Sequence, residues 1–184
     1  MNVRAIMLLL CLPLSAGLAA DESTRNAEQA TEYRLKAALI YSIAKFVAWP
    51  EAAEAGPELG ICVLGADPFG ASLDELASRT LRDRPLRVHR RINIGSLEQD
   101  CAIVFISESE QARLDLVLER LRGLPILTIG DVEGFAQAGG MVEFRVRDAR
   151  LGFDINVAAS DEAGIRINSQ LLQVAARVLR GERA

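Results

Sequence analysis

Apolar positions recur along this chain with distinct periods, and each period predicts a kind of element. From Tyr33 the residues Leu35, Leu39, Ile43, Phe46 and Val47 return at spacings of three and four, the mark of an amphipathic helix. That helix is expected to stop near Trp49, because Pro50 disfavours helical geometry in the residue before it. Leu59 to Leu64 is a short apolar run ending at Gly65 and predicts the first strand. Asp67 then offers an N-cap with Pro68 at the first helical position, opening a helix through Leu73, Leu76 and Ala77. Pro85 to Ile94 is Arg-rich and alternates Leu86, Val88, Ile92 and Ile94, so a second strand with a polar outer face is expected.

Cys101 to Ile106 is nearly continuous apolar sequence, which suits a strand buried on both faces. Ser107 and Glu110 form a capping box ahead of Leu114, Val117, Leu118 and Leu121, with Gly123 as the C-terminal stop. Pro125 to Ile129 predicts another buried strand. After Gly139 and Gly140, two alternating runs, Met141 to Val146 and Leu151 to Val157, flank Arg147, Asp148, Ala149 and Arg150, the pattern of an antiparallel hairpin. Leu151, Phe153, Ile155 and Val157 share one face, leaving Gly152, Asp154 and Asn156 on the other, and that polar face places the hairpin at a sheet edge. Asn168 can cap a last helix carrying Leu171, Leu172, Val174, Ala175 and Val178, before a polar tail from Arg180. Alternating strands and helices predict one α/β domain: a largely parallel central sheet with helices packed on it and an antiparallel hairpin near the C-terminus.

The first twenty residues change the picture of where this domain works. A basic start ending at Arg4, an apolar run from Ala5 to Leu14 and a small-residue exit from Ser15 to Ala20 are the three regions of a secretory signal. Cleavage is expected at Ala19 or Ala20, because the apolar run falls short of the roughly 20 residues a bilayer span requires. Residues 1–20 are therefore read as a signal peptide and 21–30 as a flexible polar lead-in. The α/β domain follows over 31–180, and its location is the periplasm. Losing Arg4 moves the balance from 21 basic and 25 acidic side chains to 20 and 25, which makes a poor general ligand for nucleic acid or anionic lipid. Cys62 and Cys101 survive export, and an even pair in an oxidising compartment is read first as a disulfide. The alternative is two free buried thiols.

The catalytic inventory is thin. His89 is the one histidine, so a histidine-rich metal site or a Ser/His/Asp hydrolase has little to be built from. Gly65-Ala66-Asp67-Pro68-Phe69-Gly70 follows a strand but lacks the phosphate-loop pattern. No metal or cofactor is implied, and a binding module fits these residues better than an enzyme. Arg79, Arg82, Arg84, Arg87, Arg90 and Arg91 cluster in an otherwise acidic chain. Arg84, Arg87 and Arg90 are candidates for holding an anion, against the reading that they pair with nearby acids. The outward polar face of the hairpin makes Val142, Asp154, Asn156 and Ser160 the candidate partner-docking residues. The competing reading is that Asp154 and Asn156 hold the hairpin to the final helix by hydrogen bonds.

Four ordered segments carry a resemblance: Tyr33-Arg34-Leu35-Lys36-Ala37-Ala38 running into Phe46-Val47-Ala48-Trp49-Pro50; Gly65-Ala66-Asp67-Pro68-Phe69-Gly70; Gly139-Gly140-Met141-Val142-Glu143-Phe144; and Phe153-Asp154-Ile155-Asn156 followed by Ile167-Asn168-Ser169-Gln170-Leu171-Leu172. In these the chain resembles the YfiR family of periplasmic regulators. The resemblance implies an α/β domain that forms a homodimer and acts through a partner: it binds the periplasmic part of an inner-membrane diguanylate cyclase and represses it, lowering cyclic di-GMP and biofilm formation. It also implies release by an outer-membrane-associated lipoprotein or by redox stress on a disulfide, for which Cys62 and Cys101 fit the bridging positions. Some members carry a second cysteine pair in the hairpin region, which this chain lacks. A periplasmic small-ligand sensor, binding at the arginine cluster or at the ends of the parallel strands, is the alternative function.

Overall fold

The computed structural model describes residues 16–54, 56–90 and 94–181. The expected signal segment up to residue 15 lies outside the described residues, and at Ala19 and Ala20 only the helical backbone is described. Helix α1 (Ala16–Ala44) is longer at its start than the sequence pattern implies and takes in residues 21–30, expected as a flexible lead-in. That stretch holds no proline or glycine, and its Ala, Glu, Gln and Arg keep helical geometry at little cost. The packed part of α1 turns Tyr33, Ala37, Ile40, Ile43 and Ala44 inward. The stripe is thus rotated from the one expected: Leu35 is 53% exposed, and Ala37 and Ala44 are small enough to let the helix approach the sheet.

The helix ends at Ala44, short of the Trp49 expected, because Val47–Ala48 form strand β1, which pairs antiparallel with Arg166–Ile167. This pairing depends on residues distant in sequence, so no local pattern announces it. Strand β2 (Leu59–Leu64) is buried throughout, as its apolar run requires. Asp67 does not cap the next helix; its Oδ1 accepts from the Phe69 amide at 2.8 Å, and α2 (Ala71–Ala77) starts after Gly70. The Arg-rich segment forms a hairpin of β3 (Thr80–Leu81) and β4 (Arg84–Arg90). A short helix α3 (Leu97–Asp100) leads into β5 (Ile103–Ile106). The capping box does not close either: Ser107 makes no side-chain cap bond, and the Glu110 carboxylate pairs with Arg113. Helix α4 (Leu114–Leu121) follows, then β6 (Leu127–Gly130).

The second hairpin is β7 (Val142–Arg147) and β8 (Arg150–Asn156), antiparallel as the alternation predicts. Beyond it lie α5 (Val157–Glu162), β9 (Arg166–Ile167), α6 (Ser169–Val174) and β10 (Arg177–Leu179). Asn168 caps α6, its Oδ1 accepting from the Gln170 amide at 2.8 Å. The expected last helix ends early, so Val178 lies in β10. The eight strands of the main sheet run β10-β8-β7-β6-β5-β2-β4-β3, parallel except for the two hairpins β7–β8 and β3–β4. The β7–β8 hairpin is consequently not at the edge, because β10 pairs with β8 in parallel.

Alternation along the central strands feeds two cores. Ile61, Val63, Ile103, Phe105, Leu127 and Ile129 join the side covered by α1 and α2. Cys62, Leu64, Val104 and Ile106 join Leu97 and the α4 residues Val117, Leu118 and Leu121 on the other. Each large side chain so buried contributes about 1.5–3 kcal/mol. On the first side, edge contacts link Tyr33 to Phe69 and Phe69 to Phe105, with centroids 5.3 and 4.7 Å apart.

Candidate functional site

Cys62 on β2 and Cys101, just before β5, are joined by a disulfide with Cα atoms 5.7 Å apart. The alternative of free thiols is thereby set aside. Both residues are buried against Leu97 and α4, so the bridge ties together two neighbouring strands inside a core. Gly60 permits the close approach this needs: a Cβ there would lie 1.7 Å from the Asp100 carbonyl oxygen. In the chain-entropy account, closing a loop of this length stabilises by roughly 4 kcal/mol.

Of the four residues expected to meet a partner, Val142, Asp154 and Ser160 are buried in the protomer and Asn156 is half-buried. Asp154 is 1% exposed, and Val142 and Ser160 are fully buried. Asp154 Oδ2 accepts from Arg145 Nη1 at 2.8 Å, from Arg177 Nη2 at 2.8 Å and from Arg177 Nε at 3.1 Å. Asn156 donates to the Ala136 carbonyl at 2.8 Å and caps α5 by accepting from the Ala159 amide at 3.1 Å. Ser160 donates to the Val157 carbonyl. β10 covers the edge expected to be open, and the polar alternation on β8 serves internal bonds. The competing expectation, a hydrogen-bonded tie, is the closer one, although Asp154 ties β7 and β8 to β10 rather than to a helix.

Nor do the candidate anion-binding arginines converge. Arg87 pairs with Glu58 at 2.5 Å and Arg84 donates to the Glu58 carbonyl at 2.5 Å. Arg90 reaches Asp67 at 2.6 Å and Asp74 at 2.8 Å, and these two carboxylates hold its pKa above the ordinary guanidinium value against the opposing effect of burial. Arg79 lies over the Tyr41 ring and Arg82 over Trp49, while Arg91 lies outside the described residues. Local carboxylates, aromatic rings and carbonyls engage these side chains among the described residues.

What the structure does assemble is a polar cluster at the carboxyl end of the parallel strands. Lys36, on the inward face of α1 and 4% exposed, reaches Asp131 Oδ2 at 2.6 Å and Glu32 at 2.5 Å. Tyr33 donates to the same Asp131 oxygen at 2.8 Å. Asp131 directly follows β6, and its side chain is 7% exposed. Its Oδ1 is buried without a hydrogen-bond partner. Burial, reinforced by the negative charge of Asp131, pushes the Tyr33 pKa well above the ordinary phenol value, so this hydroxyl stays a donor. Gln29, Glu32, Glu108, Phe144 and Val146 complete a crevice of about 330 Å³. The crevice sets further acids and two aromatic walls around a carboxylate whose second oxygen is buried without a partner.

Sequence reasoning missed this cluster as a site. The available signals were a lysine three residues after Tyr33, within the true inward stripe, and an acid placed straight after a buried parallel strand, where ligands of α/β sheets bind. Among the described residues no group of three or more His, Cys, Asp or Glu side chains is placed to share a metal ion. No helix among them is long and apolar enough to cross a membrane.

The architecture is similar to that of a conserved domain protein of Vibrio cholerae, with a TM-score of 0.51 and 11% identity, over 79% of this chain and 60% of that one. It also overlaps the ABC domain from Streptococcus pneumonia in complex with L-Trp, at a TM-score of 0.48 and 9% identity, over 66% of this chain and 56% of that one. The chain therefore spans about three fifths of the length of these solved structures, and at such identities the first likeness shows the fold alone. Sequence matching is more specific: residues 33–176, from the packed part of α1 to the residue before β10, match one family model, and the chain belongs to the YfiR/HmsC-like family.

Proposed function

We propose that this protein is a periplasmic regulator that binds the periplasmic part of an inner-membrane diguanylate cyclase and represses it, lowering cyclic di-GMP and biofilm formation. The observation that carries the reading is membership of the YfiR/HmsC-like family across residues 33–176. A cleavable signal over residues 1–20, a buried disulfide of the kind an oxidising compartment maintains, and a protein partner in place of a substrate all fit it. In this reading the working form is a homodimer, and an outer-membrane-associated lipoprotein is the sequestering counterpart. Deleting the gene should raise cellular cyclic di-GMP and surface attachment, and complementation should restore both. Unchanged cyclic di-GMP in the deletion strain across growth conditions would sink the proposal.

One observation favours a second reading, a periplasmic small-ligand sensor: the unpartnered Asp131 Oδ1 in the crevice beside Tyr33 and Lys36. A screen of small amines by thermal shift tests it. The expected result is a saturable rise in melting temperature that Asp131→Asn abolishes; no saturable shift from any amine removes the reading.

A further inference from the structure

The face of the β7–β8 hairpin that bears Asp154 also bears a group of arginines. Residues directly opposite across a ladder share a face and stand close together. Here Arg147 faces Arg150, Arg145 faces Gly152 and Glu143 faces Asp154, while Arg177 of β10 stands beside Asp154. Four guanidinium groups therefore surround Gly152. The space over that glycine is open, since a Cβ built there meets nothing within 4 Å. The outcome is a hollow of about 390 Å³ whose lining includes Arg145, Arg147, Arg150 and Arg177, with Asp154 its only carboxylate.

Two features set this hollow apart from an ordinary charged surface. Asp154, buried beneath it, anchors Arg145 and Arg177 at 2.8 Å each, so half of the arginine wall is fixed in advance. Arg147 and Arg150 are like charges directly opposed at the end of a ladder, an arrangement that destabilises a hairpin. The ion pairs around this hairpin engage Arg145 and Arg177, and neither Arg147 nor Arg150 has one among the described residues. An anion seated between them would remove the repulsion. The chain as a whole is acidic, with net charge −4, so this patch reverses the general sign. Planar guanidinium forks bind oxyanions in bidentate fashion, and several forks around one hollow suit a tetrahedral, multiply charged group.

We propose that the hollow over Gly152 binds a phosphoryl group, free or carried by a lipid headgroup, between Arg147 and Arg150 with Arg145 and Arg177 at its base. Calorimetric titration of the purified protein with inorganic phosphate at fixed ionic strength tests this. Saturable binding with a dissociation constant on the order of 1 mM or tighter is expected. The double variant Arg147→Ala/Arg150→Ala should weaken it by about tenfold or more; both positions are exposed and their mutual repulsion is relieved, so a melting temperature no lower than wild type should show that the variant folds. Gly152→Val fills the hollow without removing a charge and should abolish binding as well. Absence of saturable binding overturns the proposal, and so does binding that Gly152→Val leaves intact. Flotation with phosphatidylglycerol vesicles separates the sources: vesicle binding that phosphate displaces assigns the headgroup, whereas phosphate binding with no flotation assigns the free ion or a phosphomonoester. Flotation that survives Gly152→Val and is indifferent to phosphate overturns the site.

Discussion

The centre of the main sheet and its β7–β8–β10 side are held together by different means. At the centre, β2 and β5 bury apolar residues on both faces, and a covalent link, Cys62–Cys101, reinforces them. On the other side the strands converge on one buried carboxylate, Asp154, which takes two arginines from two different strands. Non-directional burial tolerates small shifts, whereas a buried carboxylate is favourable only while its partners stay in place. The centre should therefore respond to loss of a constraint on the unfolded chain, and the β10 side to loss of a particular contact.

The largest expected effect is at the centre. Cys62→Ser should lower unfolding stability by about 4 kcal/mol, read by urea denaturation, and Cys62→Ser/Cys101→Ser should lose no more than the single variant. A loss under about 1 kcal/mol would mean that apolar packing alone suffices there. Next, Asp154→Ala should cost about 3 kcal/mol, the lower end for breaking a buried pair, because Arg177 can turn toward water. A double-mutant cycle with Arg177→Ala should show a coupling of about 1–3 kcal/mol, and additivity within about 0.5 kcal/mol would dissolve the contrast between the two regions.

Asp131→Asn should cost less, about 1–2 kcal/mol, since Oδ1 has no bond to lose and Lys36 keeps Glu32. A loss as large as that of Asp154→Ala would make Asp131 an equal structural tie and weaken its claim as a ligand site. Asn168→Ala should remove the cap of α6 at about 1 kcal/mol, seen as a small shift in the urea midpoint. The smallest effect concerns pH. Tyr33 has a raised pKa in the folded protein, so its contribution is complete below the unfolded value of about 10 and is lost as pH rises beyond it. Wild type should lose stability over that range more steeply than Tyr33→Phe, and parallel curves would contradict the shift.

The two regions also differ in how far their sequence could be read. Leu59 to Leu64 appears as a strand with its observed bounds, because an unbroken apolar run has few other destinations. The hairpin was legible in its pairing but not in its burial: Asp154 and Asn156 looked like an outward polar face. Arg177 lies 23 residues from Asp154, and no local pattern joins them. The two-residue turn at Asp148-Ala149 held the usable clue, because that register sets Arg145 diagonal to Asp154. Strands β1, β9 and β10 are two or three residues long and exist only through distant partners. The stripe of α1 was misjudged because Leu35 and Leu39 outrank Ala37 in hydrophobicity, while close approach to the sheet favours the smaller side chain.

The position of β10 has a consequence for how the chain can mature. It is the last of the described elements and yet the outermost neighbour of β8. Any channel that releases the polypeptide from its N-terminus first will release β8 more than twenty residues ahead of Arg177, with Asp154 still lacking one of its cations. During that interval β8 shows an unpaired edge, a template on which another emerging strand can add. Closure of this side of the sheet therefore waits until Arg177 has followed β8 out, and a chaperone that shields the β8 edge would act on a species that exists only until then.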